Sequence, residues 1–355
     1  MYNYRRGDDM YTEHMEKRGL PQLLSRDKML TILQEEEYGF LPQKPEKLSW
    51  EVEENMIKHF CAGKASFSRV TIKVTVNDKD FSFPITCAFP KSEGKHPFFI
   101  HINFRPDVPD LYMPTEELID HGFAVLSFCY KDVTSDDANM SDGLAGLFYP
   151  DGIRGSSDAG KIAIWAWAAH RVMDYAQTLD NLDLDNATVC GHSRLGKTAL
   201  FTAATDERFA FAHSNDSGCG GAAITRQKEG ETVEDICKRF PYWFCENYQK
   251  YINHENEMPF DQHYLIAAIA PRCVNVASAE KDIWADPFSE MLSCIAASPI
   301  YETYGKKGFI YENREQKTGD VFHEGNIGYH LRGGEHYFSR EDWLKLIDFI
   351  NKHKN

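Results

Sequence analysis

Hydrophobic and polar residues follow two different periods along this chain. Val70, Ile72, Val74 and Val76 alternate with polar residues, which predicts a half-exposed strand. A second strand over 81–89 should pair with it through a turn at Asn77-Asp78. The alternation then gives way to short, almost wholly apolar runs at 98–102 and 123–128, as expected of strands buried on both faces of a sheet. Helical patterns separate such runs. One covers 115–121, and a longer one carries the stripe Ile162, Trp165, Ala169, Val172, Ala176 and Leu179, with Ser156, Ser157 and Asp158 as candidate caps. Strands are expected at 187–190, 209–214 and 272–278, a helix at 195–204, and a closing helix at 340–353 that buries Leu344, Ile347 and Ile350. Strand–helix alternation of this kind implies an α/β fold, with a mostly parallel central sheet covered on both faces and antiparallel strands at one edge. The first fifty or so residues are polar and hold one predicted helix, at 26–37. Residues 1–50 read as an arm packed on a single domain over 51–355.

Composition narrows the partners. The net charge is −15, from 39 basic and 54 acidic residues, and such a surface repels nucleic acid and anionic lipid. No run is long and apolar enough to span a bilayer, and no apolar stretch follows the N-terminal residues, so the expected location is cytoplasmic. The nine cysteines are scattered, with no C-x-x-C pair, and read as buried free thiols. The histidines do not cluster at ligand spacing, so neither a metal nor another cofactor is expected.

The most informative segment is Val189-Cys190-Gly191-His192-Ser193-Arg194-Leu195-Gly196-Lys197. An apolar strand runs into a serine, and a helix begins at once. That is the context of a nucleophile elbow, in which a strained turn lifts the serine oxygen above the sheet. Leu195 takes the place of the second glycine of G-x-S-x-G, and Gly196 follows it. The helix N-terminus and the Arg194 amide would face a developing oxyanion. The fold expected is therefore an α/β-hydrolase three-layer sandwich, with Ser193 as nucleophile. Its histidine should lie late in the chain, before the last helix. His336, in Gly333-Gly334-Glu335-His336-Tyr337, fits that place, ahead of His330 and His323. Asp282, after the strand at 272–278, is the first candidate for the acid that orients the histidine; Asp216 is the alternative and Glu280 the third.

These residues resemble the glucuronoyl esterases, their bacterial branch more than the fungal one. The resemblance runs from about Tyr38 to the C-terminus. It rests on the elbow, on Ser217-Gly218-Cys219-Gly220-Gly221-Ala222-Ala223, on Asp261-Gln262-His263 leading to Ala270-Pro271-Arg272, on Trp284-Ala285-Asp286-Pro287, and on Gly328-Tyr329-His330 before His336. It implies a serine-dependent carboxylic ester hydrolase that cleaves the ester between a 4-O-methyl-glucuronoyl or glucuronoyl group on xylan and an alcohol. It also implies that the Arg194 side chain joins the oxyanion site and that Lys197, Trp284 and Glu231 contact the sugar. Fungal members carry a cysteine before the serine, paired with one beside the catalytic histidine. His192 and Tyr337 stand at those positions here, so no such bridge can form. The partner expected is a small-molecule or oligosaccharide ester. The competing readings are an acetyl-sugar esterase of the acetylxylan type and a non-catalytic carbohydrate-binding protein on the same fold.

Overall fold

The computed structural model describes residues 9–354. Among them, ten strands form one sheet: β1 (Lys47–Glu53), β2 (Ala65–Val76), β3 (Lys79–Pro90), β4 (His96–Asn103), β5 (Ala124–Cys129), β6 (Leu182–His192), β7 (Phe211–Asn215), β8 (Cys273–Ala279), β9 (Val321–Phe322) and β10 (Ile327–Arg332). Their spatial order is β1-β2-β3-β5-β4-β6-β7-β8-β10-β9. The strands from β5 to β10 in that order run parallel. β1, β2 and β3 form the expected antiparallel edge. β9 adds an antiparallel strand at the far edge.

The hairpin β2–β3 turns at Asn77 and Asp78, both with positive φ (51° and 59°), which suits the short polar side chains there. The central strands sort their residues by alternation. Phe98, Ile100 and Ile102 join one core with the helices Lys161–Ala176, Arg194–Thr205 and Pro287–Glu302. Phe99, Val125, Cys190, Phe211 and Cys273 join a second core, sealed by Trp343, Leu346, Ile347 and Ile350 of the helix Arg340–His353. Three layers result, with apolar side chains on both faces of the parallel strands.

Two local expectations need correction. Ser156, Ser157 and Asp158 do not cap the long helix. It begins at Lys161 behind Gly160, while the Asp158 carboxylate instead accepts from the Gly155 amide at 2.7 Å. The helix predicted at 26–37 is α-helical only over Arg26–Leu33; it then widens into a π turn over Gln34–Tyr38 that buries both Glu37 and Tyr38. The first helix, Met10–Arg18, and the strand β1 add elements to the N-terminal region beyond those expected. The cysteines are free thiols, all buried except the half-buried Cys61. No helix among the described residues is long and apolar enough to cross a membrane.

Candidate active site

Four loops leave the carboxyl ends of neighbouring parallel strands, where open α/β sheets hold their ligands. Ser193 follows β6, Asp216 follows β7, Asp282 follows β8 and His336 follows β10. The structure thus gathers residues scattered along much of the chain into one cleft of about 340 Å³. Its walls include Ser193, Arg194, Lys197, Asp216, Glu231, Asp282, Trp284 and His336, together with Phe240 and Trp243.

Ser193 sits at φ 57°, ψ −127°, between β6 and the helix Arg194–Thr205. A β-substituted residue held there stores roughly 1–3 kcal/mol of backbone strain. The turn is pinned by its own hydrogen bonds: Ser193 N–H donates to Asn215 O at 2.8 Å, and the Gly196 and Lys197 amides donate back to Ser193 O. Gly191 is required by space, since a Cβ there would lie 2.3 Å from Leu195 O.

His336 Nδ1 lies 2.6 Å from Asp282 Oδ2. A carboxylate can only accept, so Nδ1 carries the proton and Nε2 is left as the basic nitrogen. The Asp282 carboxylate is buried, whereas the His336 ring is 44% exposed toward the cleft. The acid and histidine loops are also joined through their backbones: Glu280 N–H donates to Arg332 O and Lys281 N–H to Gly334 O, both at 2.9 Å. The neighbouring His192 ring packs 4.3 Å from His336, centroid to centroid. Burial, and then the closeness of a second imidazole at His336, hold His192 well below the usual imidazole range, so it remains a neutral wall of the site.

Asp216 is close but differently committed. Its Oδ1 accepts from Ala279 N–H at 2.7 Å and its Oδ2 from Arg332 Nη2 at 3.2 Å. Burial, then the nearby Glu290 and Asp282, push its carboxyl well above the usual range. Glu280 lines a different cavity. The rival histidines are buried structural residues. His330 donates from Nε2 to Asp342 at 3.0 Å, and His323 Nε2 accepts from Asn275 Nδ2 at 3.0 Å.

Arg194 is held by an ion pair from Nη1 to Asp136 and by aromatic faces, with Trp243 4.5 Å from the guanidinium carbon. Lys197 is buried. It donates to the carbonyls of Ser217 and Cys219, and its Nζ lies 3.8 Å from Glu231. Burial holds the Lys197 ammonium below its usual range. Trp284, 46% exposed, forms part of the rim, and its carbonyl accepts from Glu231 N–H at 3.0 Å.

Other residues of the quoted motifs are scaffold. Asp286 caps the helix Pro287–Glu302 through Ser289 N–H and also accepts from Glu229 N–H. Asp261 accepts from the amides of Thr225 and Arg226 and from the Arg226 guanidinium. Glu290 accepts from the Ser217 and Gly218 amides and from Ser278 Oγ, while burial still pushes it up to about 7.

Sequence reasoning misses Glu37, which the π turn delivers to the underside of the Gly220 loop. Burial pushes its carboxyl from 4.5 up to about 8. The folded chain therefore holds a proton that the unfolded chain releases. This contribution to stability is complete below about 4.5 and is lost as pH rises toward 8. Glu37→Gln mimics the protonated form. Its stability relative to wild type is expected to improve steadily between pH 5 and 8, read as urea midpoints. Parallel pH curves for the two proteins would contradict the assignment.

A nucleophile elbow, a late histidine and an acid at the carboxyl edge of such a sheet define the α/β-hydrolase class. The family model for fungal glucuronyl esterases matches residues 72–305. The chain is 40% identical over 240 residues to Carbohydrate esterase MZ0003 from an unknown prokaryotic organism, covering 67% of this chain and 55% of that protein. It is 29% identical over 337 residues to the 4-O-methyl-glucuronoyl methylesterase of Podospora anserina, covering 90% of this chain and 61% of that one. The solved glucuronoyl esterase from Solibacter usitatus superposes with a TM-score of 0.84 at 32% identity, covering 97% of this chain and 93% of that one. The chain belongs to the glucuronyl esterase family. It spans a little over half the length of the two curated relatives.

Proposed function

We propose that this protein hydrolyses glucuronoyl esters, the 4-O-methyl-glucuronoyl ester first among them, through Ser193. The observation that carries the reading is the His336–Asp282 hydrogen bond of 2.6 Å in the cleft that Ser193 also lines. In this reading Asp282 holds the tautomer and His336 Nε2 takes the Ser193 proton as Oγ attacks the uronate carbonyl. His336 then returns that proton to the leaving alcohol, and water repeats the sequence to release the uronic acid. The Arg194 side chain, with amides at the start of its helix, stabilises the tetrahedral oxyanion. Lys197 and Glu231 take sugar hydroxyls, and Trp284 offers a ring face at the rim. Membership of the family and the polar lining beside Ser193 support a uronate over a simple acetyl group. No cofactor enters this chemistry.

The test compares benzyl glucuronate, an acetylated sugar and nitrophenyl acetate. The expected result is turnover of the glucuronate with a strong preference over the acetylated sugar. Lys197→Ala should raise KM for the glucuronate by about tenfold, the loss of one charged hydrogen bond. Turnover of acetyl esters alone, with Lys197→Ala harmless, would transfer the function to deacetylation. Inertness toward all three, with no labelling of Ser193 by a serine-reactive phosphonate, would favour the binding-protein reading.

A further inference from the structure

Asp136 lies in a loop after β5 that carries no sequence signal of function, yet it collects more polar contacts than its surroundings require. Its carboxylate, buried in its side chain, accepts from Arg194 Nη1, from Trp243 Nε1 at 2.8 Å and from Tyr130 OH at 2.9 Å. Its carbonyl accepts from Tyr242 OH at 2.8 Å. The loop is itself fastened to the core. Lys161, fully buried at the start of the long helix, donates from Nζ to Ser135 O and Ser135 Oγ, both at 2.7 Å. Asp142 accepts from Ser135 N–H at 3.0 Å and from Thr134 Oγ1 at 3.0 Å.

The effect falls on Arg194. Its guanidinium is walled by Trp243, Phe240 at 5.2 Å and Phe104 at 5.7 Å, so its plane has little freedom once Nη1 is fixed. Among the described residues, its buried Nε has no hydrogen-bond partner. The side chain as a whole is 23% exposed where it lines the cleft, so the guanidinium keeps an accessible edge there. Arg194 directly follows Ser193 and lines the same cleft.

We propose that Asp136 is a positioning residue: it fixes the Arg194 guanidinium so that its cleft-facing edge is held for the oxyanion formed at Ser193. Asp136 touches neither substrate nor reacting atoms and acts only through Arg194. The charge it places there is balanced by Arg194 itself, so the pair orients a donor without adding net positive charge to the cleft. This rests on the reading of Arg194 as an oxyanion donor.

The test is a double-mutant cycle of kcat with Arg194→Ala and Asp136→Asn, on whichever ester the wild type turns over fastest. Rates are divided by the sites that a serine-reactive phosphonate titrates, so that only folded enzyme counts. Arg194→Ala is expected to lower kcat by roughly a hundredfold or more, and Asp136→Asn by about tenfold to a hundredfold with KM little changed. In the Arg194→Ala background, adding Asp136→Asn should cost less than about twofold. Asp136→Ser, which leaves room for water beside Trp243 and Tyr130, is carried through the same cycle in case the asparagine variant folds poorly. Equal losses from Asp136→Asn in both backgrounds, or an unchanged kcat in the wild-type background, would overturn the proposal. An unchanged kcat in Arg194→Ala alone would instead overturn the oxyanion reading of Arg194, and with it the role of Asp136.

Discussion

Asp282→Asn is expected to lower kcat by about three to four orders of magnitude, while Asp216→Asn should cost less than about tenfold. The two residues sit around the same histidine, with one polar side-chain atom each from Asp216, Asp282 and His336 within 4.8 Å of one another. Their environments separate them. Asp282 gives Oδ2 to His336 Nδ1 at 2.6 Å, and its other oxygen accepts only a longer bond, from Ala285 N–H at 3.3 Å. An asparagine there can present an N–H to Nδ1 and stabilise the wrong tautomer, with the proton on Nε2. Asp216 spends its oxygens on Ala279 N–H and Arg332, and its carboxyl is pushed toward the neutral form. An amide is neutral as well and keeps one of the two acceptors, and neither bond is the one to His336. Steady-state kcat for both variants on one glucuronate ester, with melting curves to confirm folding, decides the point. The reverse order of losses would make Asp216 the acid.

The second large effect is on stability. Arg332→Met is expected to destabilise the fold by about 3–5 kcal/mol, because it leaves the buried Asp342 carboxylate without its cation. Arg332 donates from Nε to Asp342 Oδ2 at 2.7 Å and from Nη2 to Asp216. Asp342 is fully buried. Although burial opposes ionisation, His330 and then Arg332 hold its carboxyl below the usual range. That interaction contributes stability above the ordinary aspartate pKa and is lost as pH falls through the lowered one, so the deficit of Arg332→Met should be larger at pH 7 than in acid. The same guanidinium also donates to the carbonyls of Gly333, Glu335 and Tyr337, which frame His336. Urea unfolding of Arg332→Met and of Arg332→Met with Asp342→Asn provides the check. The double variant should recover part of the loss. A cost below about 1 kcal/mol would show that the Asp342 carboxylate does not depend on Arg332.

How much of this was legible in the sequence depended on whether burial wrote a period into it. The β2–β3 hairpin and the last helix each bury one face, so alternation located the first and helical spacing the second, although the helix is rotated from the expected face: Leu344 is only half-buried, and Trp343, Leu346 and Phe349 join Ile347 and Ile350 inside. β1 is written in the sequence as well: Leu48, Trp50 and Val52 alternate with polar residues, and Leu48 and Trp50 pack against the core, but the run is short and mostly exposed on the sheet edge, and it was passed over. The helix Pro287–Glu302 was missed for the opposite reason: it is apolar almost all round and contains Pro299, so it has no stripe to read. The cap at Gly160 replaced the predicted serines because backbone contacts, Gly160 N–H to Tyr38 O among them, already satisfy that end. In the cleft, Ser193 was legible because a strand and a helix meet at it, and His336 because it lies between two glycines and the last helix. Asp136 and Glu37 were not. Each owes its importance to partners far away in the chain, Trp243 and Arg194 for one, Gln262 for the other at 2.8 Å. A carboxylate in a polar loop looks alike in sequence whether it is solvated or buried on an arginine.

The central claim is that Ser193 carries the acyl group of a glucuronate ester. Its most direct test is an acid quench of the enzyme during steady-state turnover of benzyl glucuronate, followed by peptide mass analysis, with Ser193→Ala beside it. The account predicts a glucuronoyl increment on the peptide containing Ser193 and no release of uronic acid by the variant. Undiminished hydrolysis by Ser193→Ala, or the increment on another residue, would contradict it.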